Sequence, residues 1–118
     1  EYCIVFISTN PINKYHVIIA PKGHFEKLTR IPDDILTHLI KITKKISKAV
    51  VLACDPDAVT HITDDDLKGE GYNLVSHFKI HVIPRFKQDR DLINFGKLRN
   101  KESEENLTAY ANKIRENV

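Results

Sequence analysis

The stretch His77-Phe78-Lys79-Ile80-His81-Val82-Ile83-Pro84-Arg85 decides how this sequence is interpreted. Apolar residues alternate in it with two histidines and a lysine, and an alternation of period two is typical of a β-strand with one polar face. The pattern predicts a strand over 75–84 whose polar face carries nitrogen donors about 7 Å apart. Such a row suits an anion such as phosphate, or a metal, although a merely solvated strand face gives the same pattern.

The residues on either side of this strand predict an α+β domain built on an antiparallel sheet. Two runs of β-branched and aromatic residues predict a hairpin near the start of the chain, and a third predicts a short strand further along. Apolar residues at helical spacing predict a long helix that begins at Asp33 and Asp34, and an amphipathic C-terminal helix that begins at Ser103. In chain order, the predicted elements are strands over 2–8 and 15–20, a helix over 33–53, strands over 58–63 and 75–84, and a helix over 103–117.

Composition limits the classes of function that the chain can have. Its 118 residues, 42% hydrophobic and 29% charged, fit one globular domain over 1–118. The net charge of +2 gives no electrostatic argument for nucleic acid or a membrane surface, and the apolar runs are too short to span a bilayer. Cys3 and Cys54 form no C-x-x-C pattern. We therefore expect reduced thiols and an intracellular protein, cytoplasmic or nuclear. Because the first residues already resemble a strand and include no Met, we expect the domain to lack an N-terminal segment.

Two blocks of the sequence resemble the histidine triad, or HIT, family of nucleotide-binding proteins. The stretch from His77 to His81 resembles the family's His-x-His-x-His motif, with Lys79 at the position of the middle histidine. Residues 6–24, which end in Pro-Lys-Gly-His, are similar to the family's first conserved block. The resemblance covers about residues 4–90. It implies an HIT-like fold, with an antiparallel sheet, one long helix and a C-terminal helix, and it implies a homodimer.

The same resemblance implies a protein that binds purine nucleotides such as AMP or GMP. In active members of the family, the middle histidine attacks the α-phosphate and becomes nucleotidylated before water releases the product. Lys79 occupies this nucleophile position, and His81, His77 and His16 match the histidines around it. The nucleotide-binding positions carried over from the family are Ile7, Ser8, Thr9, Asn73, Val75, Lys79 and His81.

The sequence departs from the family pattern in this same region. An ammonium with a reference pKa of about 10.4 has no lone pair at neutral pH, whereas a neutral imidazole has one. Ser8 stands where the family has a ribose-binding aspartate, Leu74 replaces a serine, and Asp66, near a family asparagine, would repel a phosphate. We therefore expect a nucleotide-binding protein with weak or lost nucleotidyl hydrolase activity. The first alternative is an active hydrolase of nucleoside phosphoramidates or dinucleotides, in which Lys79 or His81 is the nucleophile.

The resemblance requires no cofactor but leaves room for a structural zinc. His24 and His77 match two of the zinc ligands of bacterial-type relatives, whose other ligands come from a C-x-x-C that would precede Glu1. Two imidazoles are too few for a closed tetrahedral zinc site. The second alternative is therefore a zinc-stabilised scaffold or interaction module without a nucleotide role.

Overall fold

A computed structural model describes residues 2–73, 75–89 and 99–118. Within these residues, four strands form one antiparallel sheet of order β1-β2-β4-β3, accompanied by two α-helices. This is the α+β architecture that the sequence predicts. The elements are β1 (Cys3–Ile7), β2 (Val17–Pro21), α1 (Asp33–Cys54), β3 (Ala58–Ile62), β4 (Ile80–Arg85) and α2 (Glu104–Glu116).

The hairpin of β1 and β2 turns sharply just before β2. Ile7 pairs with Val17 at the end of the ladder. Tyr15, in the turn, has a φ of 65°, a left-handed conformation that is unfavourable for a residue with a Cβ atom. The next backbone N–H, that of His16, donates to the Asn13 carbonyl at 3.2 Å. The turn thereby directs the His16 side chain into the protein, where the residue is only 2% exposed.

Helix α1 covers one face of the sheet and forms the core with it. Asp33 and Asp34 lie in its first turn, where a carboxylate interacts favourably with the helix dipole. Asp55 ends the helix with a φ of 46°. Each fully buried aliphatic or aromatic side chain contributes about 1.5–3 kcal/mol through removal from water. The buried residues of this core are Val17, Ile19, Ile31, Leu39, Val50, Phe78, Ile80 and Val82.

The strand predicted over 75–84 is shorter than expected, because β4 begins only at Ile80. Before that residue the backbone bonds outside the sheet: Phe78 N–H donates to the Phe25 carbonyl at 2.6 Å. Phe78 is nevertheless only 1% exposed and packs in the core. The alternation of buried and less buried residues thus continues beyond the paired strand. The prediction was wrong in its extent because the pattern reports burial, which does not require ladder pairing.

An ion pair ties the end of β4 to the hairpin turn. Arg85 Nε donates to Asp89 Oδ1 at 3.2 Å, and both side chains are largely buried. Asn13, in the turn, donates from Nδ2 to the Asp89 carboxylate and to the Pro84 carbonyl, the latter at 3.0 Å. These contacts hold the turn in place next to the central strand.

Helix α2 confirms the predicted C-terminal helix. The Ser103 side chain caps it by accepting a hydrogen bond from Asn106 N–H at 3.2 Å. No residue of α2 is buried, so its apolar residues Leu107, Tyr110 and Ile114 remain exposed. Across the described ranges, no helix combines the length and the apolar character that crossing a bilayer requires.

Candidate functional site

A cavity of 420 Å³ lies between the hairpin turn and the segment that precedes β4. Its volume is within the range of small-molecule sites. It gathers most of the residues that the sequence predicted for nucleotide binding or catalysis, with the exception of His77. The predicted residues that line it are Ile7, Ser8, Thr9, His16, Asn73, Val75, Lys79 and His81, and the additional ones are Phe6, Asn10, Ile12, Ile18, Asp64 and Tyr72.

His16 and His81 form a hydrogen-bonded pair at the wall of the cavity. His81 lies on β4, where it is opposite Ile18 of β2. Its Nδ1 is 2.9 Å from His16 Nε2. The backbone N–H of Ile12 donates to His16 Nδ1 at 3.1 Å, so that nitrogen must be an acceptor. The proton of His16 is therefore on Nε2 and is donated to His81 Nδ1, which leaves the proton of His81 on Nε2.

The electrostatic surroundings keep both imidazoles neutral. Burial lowers the pKa of His16, and the neighbouring His81 lowers it further. Burial also lowers the pKa of His81, Lys79 lowers it further, and the carboxylate of Asp64 acts in the opposite direction. His81 therefore offers an uncharged N–H donor, from Nε2, to whatever occupies the cavity.

Among the described residues that line the cavity, Lys79 is the cationic one. Its Nζ donates to Asn73 Oδ1, to the Val75 carbonyl at 3.0 Å and to the His77 carbonyl at 2.9 Å. An ammonium has three protons, and each of them has an acceptor here. Burial lowers the pKa of Lys79, and Asp64 partly offsets that effect. The prediction that Lys79 contacts a phosphate stays a prediction, since protein oxygens already occupy its donors.

Residues 64–66 are three consecutive aspartates, and the one that lines the cavity is not the one that the sequence analysis expected near the phosphate. Asp66, which was expected to repel a phosphate, accepts hydrogen bonds from Glu70 N–H and Gly71 N–H, both at 2.8 Å. These bonds, that from Glu70 foremost, lower the pKa of Asp66. Asp64 is the carboxylate that lines the cavity. Leu74, the other departure from the family pattern in this loop, lies outside the described residues.

His77 and His24 are neighbours outside the cavity. Their ring centroids are 5.6 Å apart in an edge-on arrangement. His77 Nε2 donates to the Pro21 carbonyl at 2.9 Å, which leaves Nδ1 as its lone-pair nitrogen. Within the described residues, no group of three or more His, Cys, Asp or Glu side chains is arranged to hold a metal. Two imidazoles alone do not fit a closed zinc site, so the metal prediction has no support from this arrangement.

Sequence reasoning missed several cavity residues, and only some of them carried a signal. Phe6 is two residues before Ser8 on β1, and it pairs with Ile18 on β2. The period of two along a strand indicated that Phe6 and Ser8 share a face. Tyr72 and Asp64 come from a loop, where no periodicity indicates which side chains face the cavity.

The chain is similar in sequence to proteins of the HIT family. A model of the HIT domain family matches residues 1–88. The chain is 30% identical over 118 aligned residues to an uncharacterized HIT-like protein of Methanocaldococcus jannaschii, covering 91% of this chain and 81% of that protein. It is 35% identical over 91 residues to the adenosine 5'-monophosphoramidase HNT1 of Candida albicans. That alignment covers 68% of this chain and 54% of the enzyme, so the chain spans about half of the enzyme's length.

Solved structures share the fold. A member of the HIT family from Bacillus subtilis superposes with a TM-score of 0.85 at 19% identity, covering 100% of this chain and 83% of that one. A histidine triad nucleotide-binding protein from Candida albicans gives a TM-score of 0.80 at 24% identity, covering 98% of this chain and 82% of that one. At such low identities the likeness concerns the fold alone, and it confirms the fold that the resemblance implied.

Proposed function

The chain belongs to the HIT domain family, and we propose that it is a purine nucleotide-binding member whose nucleophile position is occupied by Lys79. In this proposal the cavity binds an AMP- or GMP-like ligand, while nucleotidyl hydrolase activity is weak or lost. The single domain over 1–118 and the intracellular location also remain predictions.

The composition of the cavity wall supports a nucleotide as the ligand. Phe6, Ile7 and Ile18 give it an apolar surface that suits a base. The Ser8 hydroxyl can both donate to and accept from a ribose hydroxyl, as Thr9 can beside it. On the other side, the His81 N–H is a donor for a phosphate oxygen, and the charge of Lys79 favours an anion nearby.

The hydrogen bonds of the two candidate nucleophiles support the proposed loss of activity. Lys79 donates three hydrogen bonds, which an amine with a lone pair could not do. The hydrogen-bond chain from Ile12 through His16 leaves the proton of His81 on Nε2, the nitrogen that is not engaged by His16. Neither residue holds a lone pair ready for attack on phosphorus. His81 is better suited to donate to a bound phosphate or to a leaving group.

The alternative of an active hydrolase draws on the relatives. The Candida albicans relative is an adenosine 5'-monophosphoramidase, and the chain aligns with about half of it. For this alternative, Lys79 would have to lose a proton, and with it one of its three hydrogen bonds, before it could attack. We therefore rank it second.

Titration calorimetry with AMP and GMP tests the binding proposal. The variant His81→Gln keeps a side chain of similar reach but disrupts the donor arrangement, and we expect it to weaken binding about tenfold, the effect of one hydrogen bond to a charged group. His61→Gln is the matched control, because His61 lies on β3 and contacts Ser47 outside the cavity. Binding that is absent from the wild type, or equal in His81→Gln and the wild type, would contradict the proposal.

We also propose a homodimer, as the resemblance implies. In support of a dimer, α2 exposes apolar residues that a second copy of the chain can contact, namely Leu107, Tyr110 and Ile114. Native mass spectrometry measures the oligomer and any bound metal in one experiment. A dimer without zinc is the expected result. A protein that carries stoichiometric zinc and binds neither nucleotide would favour the scaffold alternative.

A further inference from the structure

We propose that Lys79 is a positioning residue, whose ammonium fixes the segment formed by Asn73 and residues 75–77 as one wall of the nucleotide cavity. The inference rests on the proposed function in one respect, namely that this cavity takes the nucleotide. In this role, the residue at the family's nucleophile position holds the cavity wall and does not react with the substrate.

The geometry around the ammonium is that of a closed local network. Lys79 Nζ donates to Asn73 Oδ1 and to the carbonyls of Val75 and His77, the latter two at 3.0 and 2.9 Å. Asn73 Nδ2 in turn donates to the His77 carbonyl at 3.4 Å. One cation thus binds three oxygens, those of Asn73, Val75 and His77, and the first two of these residues line the cavity.

The segment needs such an anchor because it is not part of the ladder of the sheet. The ladder of β4 starts at Ile80. Val75 is 63% exposed, so burial contributes little to its position. Two backbone bonds remain nearby, from His77 N–H to the Val75 carbonyl and from Phe78 N–H to the Phe25 carbonyl, both 2.6 Å. The first is internal to the segment, and the second lies just after its C-terminal end. The bond from His77 Nε2 to the Pro21 carbonyl of β2, at 2.9 Å, holds His77, whereas Asn73 and Val75 are held by Lys79.

A cation engaged in this way acts on a ligand mainly through the wall that it holds. If Lys79 were instead a direct phosphate ligand, its contribution would be screened by salt. A positioning role predicts a different signature. Loss of Lys79 would lower the fraction of molecules with the competent wall, and the apparent affinity would fall by that fraction at every salt concentration.

Amide hydrogen exchange of the ligand-free protein is the first test. In Lys79→Met, we expect exchange over 75–79 to become about tenfold faster, while β2 and α1 keep their wild-type rates. Lys48→Met, at an exposed position on α1, is the matched control and should leave the segment unchanged. Unchanged exchange over 75–79 in Lys79→Met would overturn the proposal.

The acceptor side provides a milder pair of variants in case Lys79→Met unfolds. Asn73→Leu removes one acceptor and should accelerate exchange over 75–79. Asn73→Asp keeps an oxygen for the ammonium and should leave exchange slow, although its charge next to a phosphate should weaken AMP binding. Equal exchange rates in these two variants would also overturn the proposal.

AMP titrations at several salt concentrations complete the test. We expect Lys79→Met to bind AMP about tenfold more weakly than the wild type, and we expect this loss to remain at high salt, where the charge of Lys79 is screened. A loss that disappears at high salt would identify Lys79 as a phosphate ligand and overturn the positioning role. If the wild type does not bind AMP, the proposed function fails, and the exchange experiment still decides the role of Lys79.

Discussion

The two sides of the cavity are held in place by different means. On one side, His81 is part of the central strand β4 and His16 directly precedes β2, so the backbone ladder positions both. On the other side, Asn73 and Val75 lie outside any strand, and the Lys79 side chain connects them. The comparison shows that two sides of one cavity can be positioned by different interactions, the backbone ladder on one side and side-chain hydrogen bonds on the other.

The two sides also differ in what they offer a ligand. The strand side presents a neutral imidazole pair with one N–H directed by a hydrogen-bond chain. The segment side contains a cation whose protons are bonded to protein oxygens. Both arrangements favour binding of an anion, and neither provides a lone pair for attack.

The largest expected effect comes from restoring an imidazole at position 79. We expect Lys79→His to raise kcat for an adenosine phosphoramidate by on the order of a hundredfold or more, because a neutral imidazole supplies the missing nucleophile. Since this variant also loses the ammonium that holds the segment, KM should rise as well. Steady-state kinetics up to saturation separates the two effects.

The control for that experiment is Lys79→Gln, which removes the ammonium without supplying a nucleophile. It should show no gain in kcat. If Lys79→His were equally inactive at saturating substrate, an obstacle other than the nucleophile, such as Asp64 beside the phosphate side of the cavity, would have to explain the loss.

The next effect concerns the point where the segment joins the core. Phe78 lies outside β4 but is 1% exposed, so Phe78→Ala should lower the free energy of unfolding by about 3–5 kcal/mol, as large core truncations do. Urea denaturation measures this change. Phe6→Ala is the matched control at 45% exposure and should cost clearly less. Equal losses would mean that Phe78 does not anchor the segment to the core.

A smaller effect is the response of the strand side to acid. Burial lowers the pKa values of His16 and His81 below their ordinary value of 6.5, so the unfolded chain binds more protons than the folded one as the pH falls through that range. The free energy of unfolding should therefore decrease from neutral pH downwards, until both histidines are protonated in the folded state too. His16→Gln should flatten this decrease, and His61→Gln should leave it as in the wild type. A wild-type stability that is constant over this range would contradict the neutral pair.

The smallest effect lies far from the cavity, at the end of α1. Asp55 has a φ of 46°, where glycine is favoured, and its negative charge lies at the negative end of the helix dipole. We expect Asp55→Gly to stabilise the protein by about 1 kcal/mol in thermal or urea unfolding. Asp55→Ala should give no gain, and AMP affinity should be the same in both variants. A change in affinity would mean that the cavity responds to general stability and not only to its own two sides.

The fold was largely predictable because its signals are local. Apolar spacing identified α1 within one residue of its observed end, and Ser103 marked the start of α2. The start of β4 was not predictable, since Phe78 continues the alternation of burial while its N–H bonds to Phe25 outside the sheet. Periodicity reports which residues are buried, and it does not report which backbone groups pair.

The sequence predicted the cavity residues that belong to a motif, but it did not predict which loop residues line the cavity. The hydrogen bonds of Lys79 involve backbone carbonyls, which have no sequence signature. Asp66 does not line the cavity, because its carboxylate accepts hydrogen bonds from Glu70 N–H and Gly71 N–H. A turn with two glycines in the left-handed region makes that arrangement accessible, but only the folded chain identifies Asp64 as the cavity carboxylate.

The most direct test of the account is a single assay on the wild-type protein with an adenosine phosphoramidate, with AMP as competitor. Product release is followed over time, and mass spectrometry detects any nucleotidylated lysine or histidine. We expect a substrate that binds and is displaced by AMP, with at most a trace of turnover and no covalent adduct. Turnover as fast as that of Lys79→His, or an adenylylated Lys79, would contradict it.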